Sequence, residues 1–414
     1  MSLGSGWHLR RASPDFWQDR RAIRADLFGT ERLEHHALSL AAVQKVASGR
    51  PASVRRLSGR LKDNADTLLG AYRASAAALQ AGQPITPAAE WLLDNFHTVE
   101  AQVREIRADL PPDYYRQLPK LAAGPFAGYP RVLELAWAYV AHTDSLFSAP
   151  VLTRFVQAYQ TVQPLTIGEL WAIAITLRIV MIENMRRLSV QIVEGGAVRA
   201  EADALVDRVL AGSPEAMAAV ERARAGLTDD DGPDIFYGQI AKRLRGADPS
   251  DTPLLGWLED RLARQGASID AVVTAAQQRQ GAANVTMRNL VTSMRMMSEL
   301  DWAEFFEAVS LVDVQLRQGS DFAAMDFATR NQYRTAIETL ARSSDHSETA
   351  VTEAALATGD PGAALIGPRK RALEASLGFR PPWRLRLRRK VRGLGLPGYL
   401  GAIAAASAAV LAVA

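Results

Sequence analysis

The stretch PLTIGELWAIAITLRIVMIENMRRL, residues 164–188, decides the fold class. Between residues 170 and 182 only one threonine and one arginine interrupt the apolar side chains, which predicts a helix surrounded by other helices. These thirteen residues are too few to cross a bilayer. Thr166 and Glu169 have the spacing of a capping box, so the helix is expected to begin beside them. The sequence therefore predicts a buried central helix.

Four polar side chains recur on one line of this predicted central helix. A buried charge without a partner is costly, so the line must meet partner groups. We interpret it as a seam of interhelical salt bridges inside one compact helical unit over residues 86–188, and a ligand-binding groove is the alternative. The residues of this polar seam are Glu169, Thr176, Glu183 and Arg187, at intervals of seven, seven and four.

A second helix is predicted over residues 86–110. Thr86 can cap its first turn, and Pro87 suits the first helical position, where no amide donor is needed. We interpret Asp94 and His97 as a surface pair rather than an active site, because a lone histidine is seldom a ligand site. The apolar stripe of this helix is Leu92, Phe96, Val99, Val103, Ile106 and Leu110, and the expected partners of the polar seam are Asp94, His97, Arg104 and Arg107.

Helical periodicity runs through nearly the whole chain, whereas the alternation typical of strands is nearly absent. The predicted fold class is all-α, with one or more multi-helix bundles followed by a C-terminal transmembrane helix. At 414 residues the chain is long enough for two or more cores. Composition shifts predict an N-terminal, poorly packed arm at 1–30, a helical domain at 31–195, an Ala- and Arg-rich helical segment at 196–283, a second helical domain at 284–368, a basic juxtamembrane segment at 369–392 and the transmembrane helix at 393–414.

Residues 109–130 form a long predicted loop with five prolines. Loops of this length are uncommon unless they have a role. Its side chains have the composition of a saccharide platform, because flat rings meet the C–H faces of sugars and charged groups bind hydroxyls. The alternative is a proline-rich loop that its tyrosines pin to the bundle. The candidate substrate-binding residues are Tyr114, Tyr115, Arg116 and Tyr129, with Phe126 beside them.

Composition and motifs exclude several kinds of chemistry. The chain has no cysteine, which excludes disulfides, thiolate catalysis and cysteine-ligated zinc. It contains no phosphate-binding GxxxxGKS/T loop, no GxSxG nucleophile elbow and no HExxH zinc motif. Its six histidines are scattered, and only His35 and His36 are neighbours. We therefore predict no catalytic residue and no metal site in this chain.

The C-terminal part joins a basic segment to an apolar one. Residues 369–392 contain ten Lys or Arg and a single acidic residue, and residues 393–414 contain no charge and are long enough to span a bilayer. A basic run can also bind nucleic acid, but the adjoining apolar segment favours a membrane, so we predict no nucleic-acid partner. Positive residues beside a span stay in the cytoplasm, which places residues 1–392 there. We expect either a tail-anchored protein or the front of a longer one.

Three long blocks of the sequence resemble a known family. Over approximately residues 30–380 the chain resembles the N-terminal cytoplasmic region of the bacterial cyclic β-1,2-glucan synthases, which are membrane glycosyltransferases. The blocks are EWLLDNFHTVEAQVREIRADLPPDYYRQLPKLAAGPFAGYPRVLELAWAYVAHTDS, VQPLTIGELWAIAITLRIVMIENMRRL and DWAEFFEAVSLVDVQLRQGSDFAAMDFATRNQYRTAIETLAR.

The resemblance implies that this chain is the cytoplasmic helical front of a large enzyme of the bacterial inner membrane, with a structural or regulatory role. The complete enzyme would use UDP-glucose and a divalent cation to make cyclic glucan. The QxxRW-type motif of processive glycosyltransferases is not found in this chain, so no catalytic residue can be carried over. The expected partners are the membrane, the remaining domains of the synthase and the glucan chain. Two alternatives are a tail-anchored helical adaptor and a glucan-binding helical module.

Overall fold

The computed structural model describes residues 16–47, 57–213, 215–225, 233–245, 253–383, 385–387 and 389. These residues form helices, and no β-strand is assigned among them, so the predicted all-α fold is confirmed. In this described part of the chain, no helix is long and apolar enough to cross a membrane. The transmembrane helix predicted at 393–414 lies outside the described residues.

Short turns connect most of the eighteen α-helices named here. The first nine are α1 Thr30–Val43, α2 Ser58–Gln80, α3 Pro87–Asp94, α4 Phe96–Asp109, α5 Pro112–Gln117, α6 Arg131–His142, α7 Ala149–Gln160, α8 Ile167–Leu210 and α9 Ala216–Ala225. The others are α10 Pro233–Arg243, α11 Pro253–Arg264, α12 Ile269–Glu299, α13 Trp302–Val309, α14 Leu311–Gly319, α15 Phe327–Arg342, α16 Glu348–Leu356, α17 Pro361–Leu365 and α18 Lys370–Ser376. Two 3₁₀ turns are Phe16–Gln18 and Asp321–Ala324.

The chain divides into two compact units. The first comprises the described residues within 1–163 and 171–305, and the second comprises the described residues within 164–170 and 306–414. Two boundaries predicted from composition, at residues 195 and 283, fall inside α8 and α12. Composition changes along these two helices without interrupting them.

Helix α8 is the central helix predicted from the apolar stretch. Its capping box forms as predicted: the Thr166 hydroxyl accepts from the Glu169 amide at 3.2 Å, and the Glu169 carboxylate accepts from the Thr166 amide at 2.9 Å. Burying each large apolar side chain stabilises the fold by roughly 1.5–3 kcal/mol. The side chains of α8 that are fully buried in the first unit include Leu177, Val180, Met181, Ile182 and Met185.

The Gly195–Gly196 pair does not end α8, although glycine disfavours helix interiors. A β-carbon at position 195 would lie 3.3 Å from Cδ1 of Ile235 in α10, so the glycine permits a close approach of that side chain. Beyond the pair, α8 joins a second apolar core of the first unit. That core includes Val198, Ala202, Leu205 and Val206 of α8, Val220 of α9, Phe236 and Tyr237 of α10, Leu254 and Leu258 of α11 and Val272 of α12.

The helix predicted over residues 86–110 consists of two helices, α3 and α4, which meet at Asn95. Thr86 caps α3 as predicted, because its hydroxyl accepts from the Ala89 amide at 3.3 Å. The Asn95 side chain donates to the Trp91 carbonyl at 2.8 Å, and this competition with the helical backbone ends α3. Four residues of the predicted stripe are buried: Leu92, Val99, Val103 and Ile106.

Residues 16–28 pack against the helices of the first unit, although the sequence predicts a poorly packed arm over 1–30. The Ala25 amide donates to the Ala141 carbonyl at 3.0 Å, which ties this segment to α6. Spaced apolar residues in an irregular segment carry no periodic signal, so their burial was not predicted. The buried side chains are Phe16, Trp17 and Ile23.

In the second unit, α16 packs against α14, α15 and α17. The Arg334 side chain of α15 is only 1% exposed. Its Nε donates to Asp313 Oδ1 at 3.0 Å and one Nη donates to Glu307 Oε1 at 2.8 Å. Three phenylalanine rings surround the guanidinium with centroids 4.9 to 5.7 Å from Cζ: Phe306, Phe322 and Phe327.

Candidate functional site

The largest candidate site in the first unit is a buried polar cluster around Glu183 on α8. The Glu183 side chain is 0% exposed. Arg60, in the first turn of α2, donates to both of its oxygens, from Nε to Oε2 at 2.9 Å and from Nη2 to Oε1 at 2.8 Å. Arg187, one turn further along α8, donates from Nε to Oε1 at 2.8 Å. One buried carboxylate therefore joins two helices through two guanidinium groups.

The same arginines bind the backbone of the N-terminal segment. Arg187 donates to the carbonyls of Phe16 at 2.7 Å and Arg21 at 3.1 Å. Arg60 donates to the Trp17 carbonyl at 2.8 Å. The Phe16 and Trp17 carbonyls belong to the 3₁₀ turn Phe16–Gln18, and the Arg21 carbonyl follows it in irregular backbone. The guanidinium groups give these main-chain acceptors hydrogen-bond partners inside the protein.

The charges around Glu183 favour its ionised form. Burial opposes ionisation, but hydrogen bonds and charges from Arg60 and Arg187 outweigh it and hold the pKa of Glu183 below its usual value. The geometry is that of a salt bridge, with each oxygen already hydrogen-bonded. A carboxylate with a lowered pKa and two arginine partners is a poor general base, so the arrangement favours a structural role.

A turn at Asp144 and Ser145 extends the polar cluster. Both residues have positive φ, 50° and 63°, which costs energy outside glycine and needs support from neighbours. Asn184 of α8 donates to the Ser145 hydroxyl at 2.8 Å, and Thr286 of α12 donates to Asp144 Oδ1 at 2.6 Å. Asn289 of α12 donates to the Asp144 carbonyl at 3.0 Å. Sequence analysis did not find this turn, because its partners come from distant helices.

The four residues of the predicted polar seam do not form one continuous line of contacts. Glu183 and Arg187 bind each other, as described above. Glu169 caps the start of α8, and Thr176 donates to the carbonyls of its own helix at Ala172 and Ile173, at 2.9 and 3.0 Å. Although their spacing predicts a common face, Glu169, Thr176 and the Glu183–Arg187 pair have different hydrogen-bond partners along the helix.

The predicted partners of the seam are wrong for Glu183. Its bonded partners are Arg60 and Arg187, not the polar residues of α3 and α4. Asp94 and His97 are both exposed, and the His97 ring contacts the neighbouring Thr98 hydroxyl at 3.3 Å. The predicted charge matching failed because opposite charges are common on helix surfaces and do not identify which helices meet.

Arg178 makes the connection between α8 and α4 that the sequence analysis missed. Its Nε donates to Gln102 Oε1 at 3.0 Å, and one Nη lies 3.3 Å from Glu105 Oε2. Gln102 in turn donates to the Ser298 hydroxyl of α12 at 2.9 Å. This contact could have been predicted from the sequence, because Arg178 is the single charged residue in the apolar stretch at 170–182. A charge in such a place must find a buried partner.

The predicted saccharide-binding residues lie in two different environments. Tyr115 and Tyr129 are buried, whereas Tyr114 is half-buried and Arg116 is exposed. The Tyr129 hydroxyl accepts from Nε1 of Trp17 at 2.7 Å. Rings of five residues pack together around this bond: Phe16, Trp17, Phe126, Tyr129 and Trp137. The burial of these rings favours the alternative in which the loop is pinned to the bundle, and glucan binding by Tyr114 and Arg116 stays a prediction.

We expect Tyr129→Phe to lower the free energy of unfolding by ~1–3 kcal/mol, because it removes a buried acceptor of the Trp17 indole. Chemical denaturation of the full chain followed by tryptophan fluorescence measures this change. Tyr72→Phe is the matched control, since Tyr72 is half-buried and its ring stacks on Phe96 outside the aromatic cluster. Equal stability of the two variants would contradict this account of the loop.

Lys120 stabilises the same loop from inside. Its side chain is buried, and Nζ donates to the Tyr115 carbonyl at 2.5 Å and the Leu118 carbonyl at 2.7 Å. Nζ also lies 4.5 Å from the centroid of the Tyr115 ring. Lys120 therefore binds two carbonyls of the loop backbone, as expected of a loop that is packed against the helices.

A second buried polar group lies in the second unit at Glu348, the first residue of α16. Its carboxylate accepts from the Ile167 amide at 2.7 Å. Burial is the main cause that raises the pKa of Glu348 to about 7, and the nearby carboxylates of Glu338 and Glu169 add to it. The Ile167 hydrogen bond and the charge of Arg342 act in the opposite direction. The folded chain therefore favours the protonated form of Glu348.

We expect Glu348→Gln to stabilise the second unit at pH 8 by about 3 kcal/mol and to have little effect at pH 4. In the unfolded chain Glu348 ionises near the ordinary glutamate pKa of 4.5, whereas in the folded chain it ionises near 7. The parent protein therefore loses stability as the pH rises between these values, and glutamine removes that loss while keeping an acceptor for Ile167. Denaturation at both pH values measures the effect. The control is Asp345→Asn, because Asp345 belongs to an exposed ion pair. If the stability of this unit in the parent protein rises from pH 4.5 to 7, the raised pKa of Glu348 is contradicted.

Within the ranges that the structure describes, no group of three or more His, Asp or Glu side chains is arranged to hold a metal ion. The carboxylates of the two polar clusters are engaged by arginines and backbone amides.

Comparison with known proteins identifies the relatives of the chain. No family model matches it. Over 391 residues it is 38% identical to the cyclic β-(1,2)-glucan synthase NdvB of Rhizobium meliloti (strain 1021). This confirms the resemblance to the cyclic β-1,2-glucan synthases. The match covers 90% of this chain and 14% of the synthase, so the chain corresponds to a segment of a much longer protein.

Proposed function

We propose that the chain is the helical front segment of a cyclic β-1,2-glucan synthase and that it supports the enzyme structurally or by regulation, without an active site of its own. The observation that carries this proposal is the identity of 38% over 90% of the chain to a protein of that name. An identity that extends through both compact units is expected when the whole helical segment is retained as one part of a larger enzyme.

The geometry of the buried polar cluster supports the structural part of the proposal. Glu183 is bonded to two arginines, and those arginines also bind backbone carbonyls of residues 16–21. Groups held in this way stabilise a fold, whereas a general base must be able to accept a proton from a substrate. Two residues of the predicted polar seam, Glu183 and Arg187, are thus engaged in holding the N-terminal segment to α2 and α8.

The chemistry of glucan synthesis belongs, in this proposal, to the remaining parts of the full-length enzyme. That enzyme would transfer glucose from UDP-glucose, with a divalent cation to balance the charge of the leaving diphosphate. The segment described here would contact those parts and the growing glucan chain.

The proposed enzyme is placed at the bacterial inner membrane, with residues 1–392 on the cytoplasmic side. Ten basic residues at 369–392 precede 22 uncharged residues, an order that favours retention of the basic side in the cytoplasm. Trp383 lies within this basic segment and is 68% exposed, which suits a side chain at a membrane interface.

Segment replacement in the synthase tests the proposed function. The part of the R. meliloti synthase that matches this chain is exchanged for residues 16–380, or deleted, and each form is produced in cells that lack their own synthase. We expect cyclic β-1,2-glucan from the exchanged form and none from the deleted form, with no glucose transfer from UDP-glucose by the isolated full chain. Glucan synthesis by the deleted form at parental levels would overturn a supporting role, and turnover by the isolated chain would overturn the absence of an active site.

A further inference from the structure

Arg186 on α8 differs from the two arginines beside it. Arg60 and Arg187 bind Glu183 at hydrogen-bond distance, but the nearest Nη of Arg186 lies 3.6 Å from the Glu183 carboxylate. Its Nε is shielded from solvent and has no hydrogen-bond partner within the described part of the chain. The Arg186 side chain as a whole is 12% exposed. A shielded donor without a partner is rare in folded proteins and calls for an explanation.

The charges around Arg186 leave an excess of positive charge. Three guanidinium groups, those of Arg60, Arg186 and Arg187, face the single buried carboxylate of Glu183. Asp63 of α2 lies 3.1 Å from Arg60, but its side chain is 58% exposed and weakly effective in water. On the other side, the nearby carboxylate of Asp19 is bound by Arg21 at 2.8 Å, so that pair adds no net charge.

The environment disfavours the charged form of Arg186. Burial is the main cause that lowers the pKa of its guanidinium, and the neighbouring charges of Arg60 and Arg187 oppose the favourable ones of Glu183 and Asp63. A bound anion would supply the negative charge that this cluster lacks. Arginine is suited to this, because its planar fork matches the oxygens of a phosphate group.

Arg334 in the second unit is a buried arginine whose surroundings can be compared with those of Arg186. One of its Nη atoms also has no hydrogen-bond partner among the described residues, and the side chain is 1% exposed. Three phenylalanine rings surround that guanidinium, and their faces take the place of an acceptor. Cation–π contacts are recorded for Arg60 and Arg187, with Trp17 and Trp137, but not for Arg186 in the described structure.

We propose that Arg186, together with Arg60, forms a binding site for a phosphate-bearing anion at the junction of α2 and α8. The anion binds the guanidinium groups of Arg186 and Arg60, while Glu183 holds Arg60 and Arg187 in place. Asp63 lies on the exposed side of the site and repels the anion. The site does not depend on the proposed function, because it rests on the side chains of this cluster alone.

The test is isothermal titration of the full chain with inorganic pyrophosphate at low ionic strength. We expect saturable binding, weakened on the order of 10-fold or more by Arg186→Gln, because a charged hydrogen-bond donor is lost. We expect Asp63→Asn to tighten binding by about 2- to 5-fold, because a repelling charge is removed. The matched control is Arg104→Gln, an exposed arginine on α4 that lies outside the cluster.

Two competition experiments distinguish which phosphate-bearing anion occupies the site. Competition by UDP at equal or higher affinity identifies a nucleoside diphosphate as the occupant, and competition by inorganic phosphate alone identifies the free ion; both support an anion site at Arg186. The proposal is overturned if pyrophosphate does not bind the parent, or if Arg186→Gln and Arg104→Gln bind it equally. Should Arg186→Gln fail to fold by circular dichroism, the Asp63→Asn variant decides, since unchanged affinity there contradicts the site.

Discussion

Glu183→Ala is expected to lower the free energy of unfolding of the first unit by ~3–5 kcal/mol, the usual cost of breaking a buried ion pair by removing one partner. The variant leaves Arg187, which is 3% exposed in its side chain, and the partly buried Arg60 without their carboxylate. Both arginines keep their hydrogen bonds to the carbonyls of residues 16–21, but neutral carbonyl groups do not neutralise the two positive charges. Denaturant unfolding measures the loss, and hydrogen exchange assigns it to α2, α8 and the N-terminal segment.

Asp94→Ala is the matched control for this prediction. Asp94 is also a carboxylate of the first unit, but it is exposed, and the structure places its predicted partner His97 against Thr98 instead. An exposed pair would contribute only ~0–1 kcal/mol in any case. A loss for Glu183→Ala no larger than that for Asp94→Ala would contradict the structural role of the polar cluster.

Asp313→Ala is expected to have an effect of similar size, ~3–5 kcal/mol, in the second unit. The Asp313 side chain is 0% exposed and accepts from Arg334 Nε at 3.0 Å and from the Ser310 hydroxyl at 3.1 Å. Its removal leaves a guanidinium buried among aromatic rings with Glu307 as the remaining hydrogen-bonded carboxylate. Hydrogen exchange should show the loss of protection in α14 and α15.

The control in the second unit is Asp345→Ala. Asp345 pairs with Arg380 at 3.2 Å, but the two side chains are 84% and 76% exposed. Water screens such a pair, so its loss is expected to change stability by no more than ~1 kcal/mol. If Asp313→Ala unfolds at the same denaturant concentration as Asp345→Ala, the Arg334 cluster does not stabilise this unit.

Local sequence signals were sufficient to predict the central helix and the first turns of α3 and α8. The apolar run at 170–182 and the Thr166 and Glu169 spacing predicted the central helix and its first turn, because helix burial and capping depend on residues close together in the chain. The cap at Thr86 was predicted for the same reason. The break at Asn95 was not, since an asparagine inside a helical pattern ends the helix only when its side chain competes for the backbone.

The periodicity of the sequence does not predict which distant helices contact each other. A line of polar residues shows that a helix face must meet partners, but it does not show which helix provides them. Arg60 binds Glu183 across 123 positions of the chain and comes from a helix whose surface is rich in charge. The positive-φ turn at Asp144 and Ser145 was missed similarly, because its stability comes from Asn184, Thr286 and Asn289.

The comparison and the structure support different parts of the account. The 38% identity to a cyclic β-(1,2)-glucan synthase supports the proposed function, while the structure supports how the described residues hold together. The saccharide loop illustrates the difference: its composition suited a sugar, but the Tyr129 hydroxyl binds Trp17 and the ring lies among four others. Composition alone does not distinguish a ring that binds ligand from a ring that packs.

The central claim, that the polar cluster serves the fold of a synthase segment and not its chemistry, is tested most directly by one paired measurement on Glu183→Ala. The melting temperature of the full chain is measured beside the yield of cyclic β-1,2-glucan from a synthase that carries this chain as its matching segment. We predict that both fall together, and that growth at lower temperature restores part of the yield. A variant that melts like the parent while glucan synthesis is abolished would contradict the claim and make the cluster a functional groove.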